Sequence, residues 1–282
     1  MRTVVPPGRP ASATRRAPYV LATGAAAVRG LHVLHEIYSP VGRRALIEAG
    51  FRTGMRVADF GCGVGAGTRM LADMAGPTGS VTGIDRDPRQ LAEARAWCEN
   101  GGVENVSFVQ AGATRTGLPR GSFDLVYCRC LLSHVTDPMG CLREMRDLLQ
   151  PDGIIVVEEG DFASAASIPA TAMNAFAELF CRLGQARGLD YSLARALYHH
   201  VIRTGFAHVN VRIHQPAITY GKHRFFLKWS VEEAAARFID AGIITGERLQ
   251  RTIGEMHDAA IDPSVLVLAP QMFIVWGRKS EG

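Results

Sequence analysis

The chain has 282 residues, a length that suits one α/β core with insertions better than two domains. With 47% apolar residues it can bury a sizeable core, and its net charge of +4 comes from 31 basic and 27 acidic residues. Four arginines lie in the first 18 residues, which contain no acid, so the remainder is neutral. This distribution excludes the basic field of a nucleic-acid-binding protein.

The first 18 residues are rich in Pro, Ala, Ser and Arg, which predicts a disordered basic arm. Arg15 and Arg16 precede an apolar run and imitate a twin-arginine export signal. We favour a helix instead, because the run is weakly apolar and leads into an amphipathic pattern over 31–38. Residues 19–50 are therefore expected to form N-terminal helices that cover the core. No apolar stretch is long enough to span a membrane.

The six cysteines are scattered, and none forms a Cys-x-x-Cys pair. Cys128 and Cys130 end a predicted strand, where small buried residues are a better interpretation than a metal or redox site. Unpaired thiols of this kind favour a reducing, cytoplasmic location.

A strand–loop–helix–strand unit with a nucleoside-binding layout begins at residue 57. The first strand ends in Asp59 and runs into a turn with Gly61, Gly63 and Gly65, and the second strand ends in Asp85. Glycines let the backbone approach a ligand closely, and a carboxylate at the tip of the second strand can accept hydrogen bonds from both hydroxyls of a ribose.

Two nucleoside cofactors must be weighed for this unit. Gly61-x-Gly63-x-x-Ala66 satisfies the loose dinucleotide fingerprint, so a nicotinamide enzyme is one alternative. However, Asp59 stands just before the glycines, where it would face the negative charges of a pyrophosphate. It suits a cofactor that carries a cation, such as the amino group of a methionine moiety.

Over residues 55–161 the sequence resembles the class I S-adenosylmethionine-dependent methyltransferases, small-molecule type. Besides the two strand ends, the resemblance is carried by segments 108–114, 118–119, 122–128 and 148–153. It implies S-adenosylmethionine as the cofactor and no metal. The residues it implies for cofactor binding are Asp59, Gly61, Gly63, Gly65, Asp85, Arg86, Ala113, Thr114, Cys128, Arg129 and Tyr19. The chain departs from the family at Gly112, where many members carry an Asp that binds the adenine amino group.

Alternating strand and helix patterns predict an α/β fold with a seven-stranded, mostly parallel, doubly wound sheet. The strands are expected near 55–60, 81–85, 106–110, 123–128, 154–159, 208–214 and 272–277. The resemblance implies that the seventh strand is antiparallel. Helices are expected between them, among them 88–100 and 139–149.

Two insertions, 162–206 and 215–271, are longer than connections require. Helical patterns lie near 168–183, 189–203, 231–241 and 247–260. Insertions after the carboxyl ends of strands build substrate sites in α/β enzymes. We interpret the first insertion and the N-terminal helices as a lid, with residues 19–282 as a single methyltransferase domain.

Methyl transfer from a sulfonium is an in-line displacement that requires alignment in a dry pocket, and a protein base is optional. His134 is a candidate base, although packing is the more common role. One of Glu158, Glu159 and Asp161 is a candidate for holding the substrate. His199 and His200 are expected to be partly exposed rather than catalytic. Tyr19 and Tyr38 are expected either to close over the methionine end of the cofactor or to pack.

The fourth strand ends in Cys-Arg-Cys-Leu rather than in an Asn-Pro-Pro-Tyr type tetrad, and a Pro-Cys nucleophile is absent from the sequence. These features favour a small, hydrophobic methyl acceptor over a nucleic acid, with an O, N or C nucleophile. The alternative is a protein of this fold that binds S-adenosylmethionine or S-adenosylhomocysteine without methyl transfer. The sequence also allows a homodimer.

Overall fold

The structure is a computed structural model that describes residues 25–280, with side chains from residue 30. The predicted basic arm and Tyr19 lie outside the described residues.

A seven-stranded sheet forms the centre of the molecule. Its strands are β1 Arg56–Phe60, β2 Ser80–Asp85, β3 Val106–Gln110, β4 Phe123–Arg129, β5 Leu149–Asp161, β7 Phe206–His214 and β10 Gln271–Lys279. Their order across the sheet is β3-β2-β1-β4-β5-β10-β7. The first five pair in parallel, whereas β10 is antiparallel to both β5 and β7. The predicted seven strands and the antiparallel last strand are confirmed.

Helices cover both faces of the sheet. They are α1 Ala25–Ala49, α2 Ala66–Ala75, α3 Pro88–Asn100, α4 Pro138–Leu148, α5 Ala175–Arg187, α6 Leu197–Arg203, α7 Phe226–Glu233, α8 Ala235–Asp240 and α9 Gly246–Ile261. On one face, α1 and α2 pack over alternate residues of β1, β4 and β5. On the other face, α4 and α6 pack over the residues between them. This division follows from the period of two along a strand, and it fixes which side chains share a face.

The structure of the two insertions differs from the prediction in several respects. A small antiparallel sheet of β6 Ala166–Ile168, β9 Leu266–Leu268 and β8 Ala217–Ile218, in that order, joins the first insertion to the second. The helix predicted near 168–183 begins only at Ala175, because residues 166–168 are used by β6 and Pro169 follows. The helix predicted near 189–203 is a short 3-10 turn followed by α6. We call the two insertions together the cap.

The helical pattern before the first strand gives one continuous helix, α1, within the described residues. Tyr38 anchors it: the side chain is buried, and its hydroxyl donates to the Pro270 carbonyl at 2.8 Å. The packing alternative for Tyr38 is therefore the one that the structure shows. Through this bond, α1 is tied to the residue that precedes β10, at the edge where the parallel strands end.

Candidate active site

The glycine loop between β1 and α2 contains three glycines with left-handed backbone angles, φ 66° at Gly61, 54° at Gly63 and 84° at Gly65. Two of them are packed by protein, because a Cβ would meet Leu131 at 2.8 Å from Gly61, and Ala94 at 3.0 Å from Gly65. At Gly63 the nearest atoms would be 3.7 Å or more away. Gly63 is thus the glycine that leaves space for a ligand.

Asp85 lies at the tip of β2 and is half-buried. Its two oxygens accept from the backbone N–H groups of Gly63 at 3.1 Å and Asp87 at 2.9 Å. Burial raises its pKa, while these two hydrogen bonds act in the opposite direction. The carboxylate is therefore fixed beside the glycine loop, as a ribose clamp requires, and the neighbouring Arg86 is exposed.

Asp59 is the buried carboxyl of the site. Thr68 of α2 donates its hydroxyl to Asp59 Oδ2 at 2.6 Å. Burial raises the pKa of Asp59 to about 7, and the Thr68 bond and the charge of Arg129 lower it. A carboxyl in this state ionises readily when a cation is placed beside it.

Arg129 ends β4 on the same face of the sheet as Asp59. Its Nε donates to the Tyr127 hydroxyl at 2.8 Å and lies 3.2 Å from Glu158 Oε2. Tyr127 in turn donates to Glu158 Oε1 at 3.0 Å. Burial opposes the charge, but Tyr127 and Glu158 raise the pKa of Arg129, so the guanidinium is cationic. Its Nη2 is buried without a hydrogen-bond partner among the described residues.

The remaining predicted cofactor residues lie around this centre. Ala113 and Thr114 occupy the turn after β3, which Gly112 and Arg115 close as an isolated bridge. A Cβ at Gly112 would meet nothing within 4 Å, so packing does not exclude a side chain there. Cys128 is fully buried, and its side chain belongs to the core on the face opposite Asp59. Its thiol is therefore directed away from the Asp59 face.

The three acidic residues at the end of β5 all form hydrogen bonds or ion pairs within the protein. Glu158 is paired with Tyr127 and Arg129, as described above. Glu159 accepts from the N–H groups of Leu131 at 2.7 Å and Leu132 at 2.6 Å, and from the Ser133 hydroxyl at 3.0 Å.

Asp161 accepts from Ala163 N–H at 3.2 Å and from Arg195 Nε at 2.7 Å. Neither it nor the other two acids at the end of β5 lines the apolar cavity described below. The expectation that one of them holds the substrate therefore has no support in the structure.

His134 packs between aromatic rings. Its Nδ1 lies 3.3 Å from the Tyr191 hydroxyl, and the ring meets Tyr191 and Phe162 edge to face. Burial lowers its pKa to about 4, so the imidazole is neutral at pH 7. His199 is exposed and His200 is half-buried, as expected.

An apolar cavity opens between α1, the cap and the ends of β4 and β5, with a volume of about 40 Å³. Its described lining residues are Gly30, Leu31, Leu34, Tyr38, Cys130, Gly160, Phe162, Phe176, Phe180, Phe226, Ser230, Glu233, Pro270 and Met272. Leu31 connects the cavity with the glycine loop, because its Cδ1 lies 3.7 Å from the position of a Cβ at Gly63. A ligand on the loop and a ligand in the cavity would therefore be neighbours.

The sequence motifs do not predict most of the residues that line this cavity. Glu233 is the one carboxylate among its described lining residues, and it comes from a helix that shares no motif with the glycine loop. No signal in a single sequence places residues of α1, α5 and α7 around the same space. Within residues 25–280, we find no group of three or more His, Cys, Asp or Glu side chains that could hold a metal ion.

Residues 51–202 match a family model described as a methyltransferase domain. The chain belongs to this family. Its sequence is 37% identical over 120 residues to aklanonic acid methyltransferase DauC of Streptomyces sp. (strain C5), covering 43% of this chain and 54% of DauC. It is 34% identical over 117 residues to demethylmenaquinone methyltransferase of Staphylococcus aureus, covering 42% and 48% of the two chains. The chain thus spans about half the length of the curated relatives it matches.

Solved structures show the same fold. YcgJ from Bacillus subtilis aligns with a TM-score of 0.55 at 20% identity, covering 84% of this chain and 97% of YcgJ. The [4+2]-cyclase SpnF aligns with a TM-score of 0.51 at 21% identity, covering 93% and 85%. These similarities confirm the predicted Rossmann-like fold of the class I methyltransferases.

S-adenosylmethionine is the cofactor of this family, and the residues present fit it. A Cβ at Gly63 would lie 3.7 Å or more from the nearest protein atoms, so the loop leaves room for a ligand at this position. Asp59 is a buried carboxyl with a raised pKa, which a cation would stabilise in its charged form. Arg129 has a buried Nη2 without a partner among the described residues, and a carboxylate would satisfy it.

Proposed function

We propose that the protein transfers a methyl group from S-adenosylmethionine to a small, hydrophobic acceptor. The observation that carries this proposal is the contact between the two halves of the site: Leu31 faces Gly63 on one side and lines the apolar cavity on the other. This arrangement suits an in-line displacement, since a donor on the loop and an acceptor in the cavity would meet. When bound, the cofactor supplies an electrophilic methyl group.

In this proposal, three side chains hold the donor. Asp85 accepts hydrogen bonds from the ribose hydroxyls, Asp59 pairs with the ammonium of the methionine moiety, and Arg129 binds its carboxylate. The apolar wall of the cavity excludes water from the acceptor.

Several polar groups at the cavity are already engaged. The Tyr38 hydroxyl donates to Pro270, and the Ser230 hydroxyl donates to the Phe226 carbonyl at 2.9 Å. Burial raises the pKa of the Cys130 thiol, so it stays protonated at pH 7. These states favour an acceptor that loses its proton readily in solution, such as a phenol or an enol, or one that reacts at an electron-rich carbon.

The relatives point in the same direction, because the names of DauC and of the menaquinone enzyme describe methylation of small molecules. A cytoplasmic location is part of the proposal. It is supported by six cysteines that are all free. Among residues 25–280, no helix is long and apolar enough to cross a membrane.

The test combines binding with product detection. Calorimetry with S-adenosylhomocysteine should show binding to the wild type, and Asp85→Ala should weaken it by about 1.5–3 kcal/mol, the scale of hydrogen bonds to a charged group. Methyl-labelled S-adenosylmethionine, incubated with a panel of phenols, quinols and polyketide-like enols, should yield a labelled organic product.

Gly160→Ala is the matched variant on the acceptor side. Its Cβ would meet Phe162 at 3.5 Å and Pro270 at 3.9 Å, an ordinary contact, so it narrows the cavity without strain. We expect an altered KM for the acceptor and unchanged affinity for S-adenosylhomocysteine.

Tight cofactor binding with acceptor binding but no labelled product would favour the alternative, a protein of this fold without methyl transfer. The [4+2]-cyclase SpnF shows that the fold also carries another chemistry. Binding of NADH instead of S-adenosylhomocysteine would overturn the whole proposal.

A further inference from the structure

The apolar cavity has one polar edge, which α7 provides. Ser230 and Glu233 both line the cavity, and they are three residues apart on this helix, so their side chains project from the same face. Apart from the Tyr38 hydroxyl and the Cys130 thiol, the other described lining side chains are apolar. A few polar groups in an apolar wall are what orients a ligand and makes its site specific.

This edge accepts hydrogen bonds and does not donate them. Tyr38 and Ser230 use their hydroxyl protons on the backbone carbonyls of Pro270 and Phe226, at 2.8 and 2.9 Å. Each hydroxyl oxygen can still accept, and a carboxylate accepts only. A ligand group that donates a hydrogen bond is therefore complementary to the edge, whereas an anionic group is repelled by it.

A glycine of α1 provides the space for the Glu233 carboxylate. A Cβ at Gly30 would lie 2.6 and 2.7 Å from its two oxygens, closer than such atoms can pack. Glycine inside a helix is less favourable than alanine, but here it leaves the carboxylate room at the cavity. Since a carboxylate has about four acceptor positions, it can bind a ligand group in addition to a protein neighbour.

We propose that Glu233 selects methyl acceptors that present a hydroxyl group to α7 and rejects those that present a carboxylate there. The body of such an acceptor is an aromatic or polyketide-like ring, because Phe162, Phe176 and Phe180 supply much of the wall. The cavity of about 40 Å³ must widen to admit a ring, and Glu233 lies where α1 and α7 meet. This inference rests on the proposed function, since it assigns the specificity of the same acceptor site.

Three small aromatic probes test this selection. Resorcinol, phenol and meta-hydroxybenzoate share one ring and one hydroxyl, and they carry a second hydroxyl, a hydrogen or a carboxylate at the meta position. Their Kd values are measured at pH 7 by ligand-detected NMR on the protein saturated with S-adenosylhomocysteine. We expect resorcinol to bind about ten- to hundredfold more tightly than phenol, the scale of one hydrogen bond to a charged group, and meta-hydroxybenzoate to bind more weakly than phenol.

Substitutions at Glu233 should change this order in a defined way. Glu233→Gln replaces one acceptor oxygen with an amide donor, so it should reduce the preference for resorcinol and make meta-hydroxybenzoate bind more tightly than phenol. Glu233→Leu removes the polar group, so resorcinol should lose its advantage over phenol. Glu232→Gln is the matched control: this exposed neighbour accepts from Lys228 Nζ at 2.6 Å, and its loss should leave the order unchanged.

Gly30→Ala tests the same contact from the side of α1. Its Cβ would displace the Glu233 carboxylate, the flexible end of that side chain, without removing its charge. The preference for resorcinol should fall in this variant. In the Glu233→Leu background the same substitution should have no further effect on the preference.

Affinity for S-adenosylhomocysteine and the melting temperature without ligand are measured for every variant. Equal affinities of the wild type for resorcinol and phenol, or an unchanged order in Glu233→Gln, would overturn the inference. A changed order that accompanies a lowered melting temperature in both Glu233 variants would make the residue structural and would also overturn it. Binding of S-adenosylhomocysteine without binding of any probe would refute the aromatic acceptor, whereas a wild type that does not bind S-adenosylhomocysteine would refute the proposed function itself.

Discussion

A buried carboxyl beside a cation site should have a pKa that depends on whether the cation is there. For Asp59 the value without ligand is about 7, raised by burial. We expect the affinity for S-adenosylhomocysteine to increase between pH 6 and pH 7.5, because the ammonium of the ligand prefers the ionised carboxylate. Asp59→Asn should bind more weakly and lose most of this pH dependence, as measured by calorimetry across that range.

The stability of the free protein should change with the opposite sign. A folded-state pKa above the unfolded value means that the native state holds the proton more tightly, so stability from this group is lost as pH rises from about 4 to about 7. Asp59→Asn removes that contribution, so its melting temperature should decline less over the same interval. If the melting temperatures of wild type and variant changed in parallel with pH, Asp59 would be excluded as the titrating group.

Single residues also show where sequence reasoning stops. The spacing of Asp59, Gly63 and Asp85 predicts their proximity, because the carboxyl ends of adjacent parallel strands meet at one edge of the sheet. The pattern treats Gly61, Gly63 and Gly65 alike, whereas only the three-dimensional contacts separate the two that pack from the one that leaves space.

Among the elements, the turn after β4 depends on one carboxylate. Glu159 accepts three hydrogen bonds from residues 131–133, and it is fully buried. Glu159→Ala should lower the free energy of unfolding by about 2–4 kcal/mol, because buried donors lose their acceptor. Glu159→Gln should lower it less, as it keeps one acceptor. Urea denaturation measures both.

The same variants test whether Glu159 instead holds the substrate. Cofactor affinity of the folded Glu159→Gln protein should stay close to the wild type, since Asp85 and Gly63 are untouched. A variant of wild-type stability that no longer turns over the acceptor would instead make Glu159 a substrate-binding residue.

Elements differ in how well a single sequence predicts them. The strands of the large sheet are five residues or more, long enough to show an apolar run or an alternation of apolar and polar residues. Strands β6, β8 and β9 are two or three residues long, too short to show a period. The pairing of β6 with β9 also joins segments about a hundred residues apart, which a local pattern does not contain.

At the scale of the whole molecule, α1 and the cap enclose the site from outside the sheet. We expect S-adenosylhomocysteine to increase protection from hydrogen exchange most in residues 30–40 and 162–206, and less in β1, β4 and β5. Segments that close over ligands come from the less stable parts of a fold. Because β9 pairs with β6, protection should extend to the strand near 266–268.

Mass spectrometry of peptides after exchange makes this measurement. Equal protection of these segments with and without ligand would mean that they form a fixed wall rather than a lid. In that case substitutions at Phe176 or Phe180 should change the melting temperature more than the choice of acceptor.

Most residues that line the cavity lie outside residues 51–202, the part of the chain that matches the family model. Of its described lining residues, five lie within residues 51–202 and nine lie outside that range. In the proposed function, the residues that bind the methyl donor therefore lie within the shared domain, whereas most of the wall around the acceptor lies in segments outside it. Those segments can diverge independently of the donor site. Selection on α1 and the second insertion can then change the acceptor and leave the handling of the methyl donor intact. Similarity to relatives over the shared core is accordingly more informative about the donor than about the acceptor.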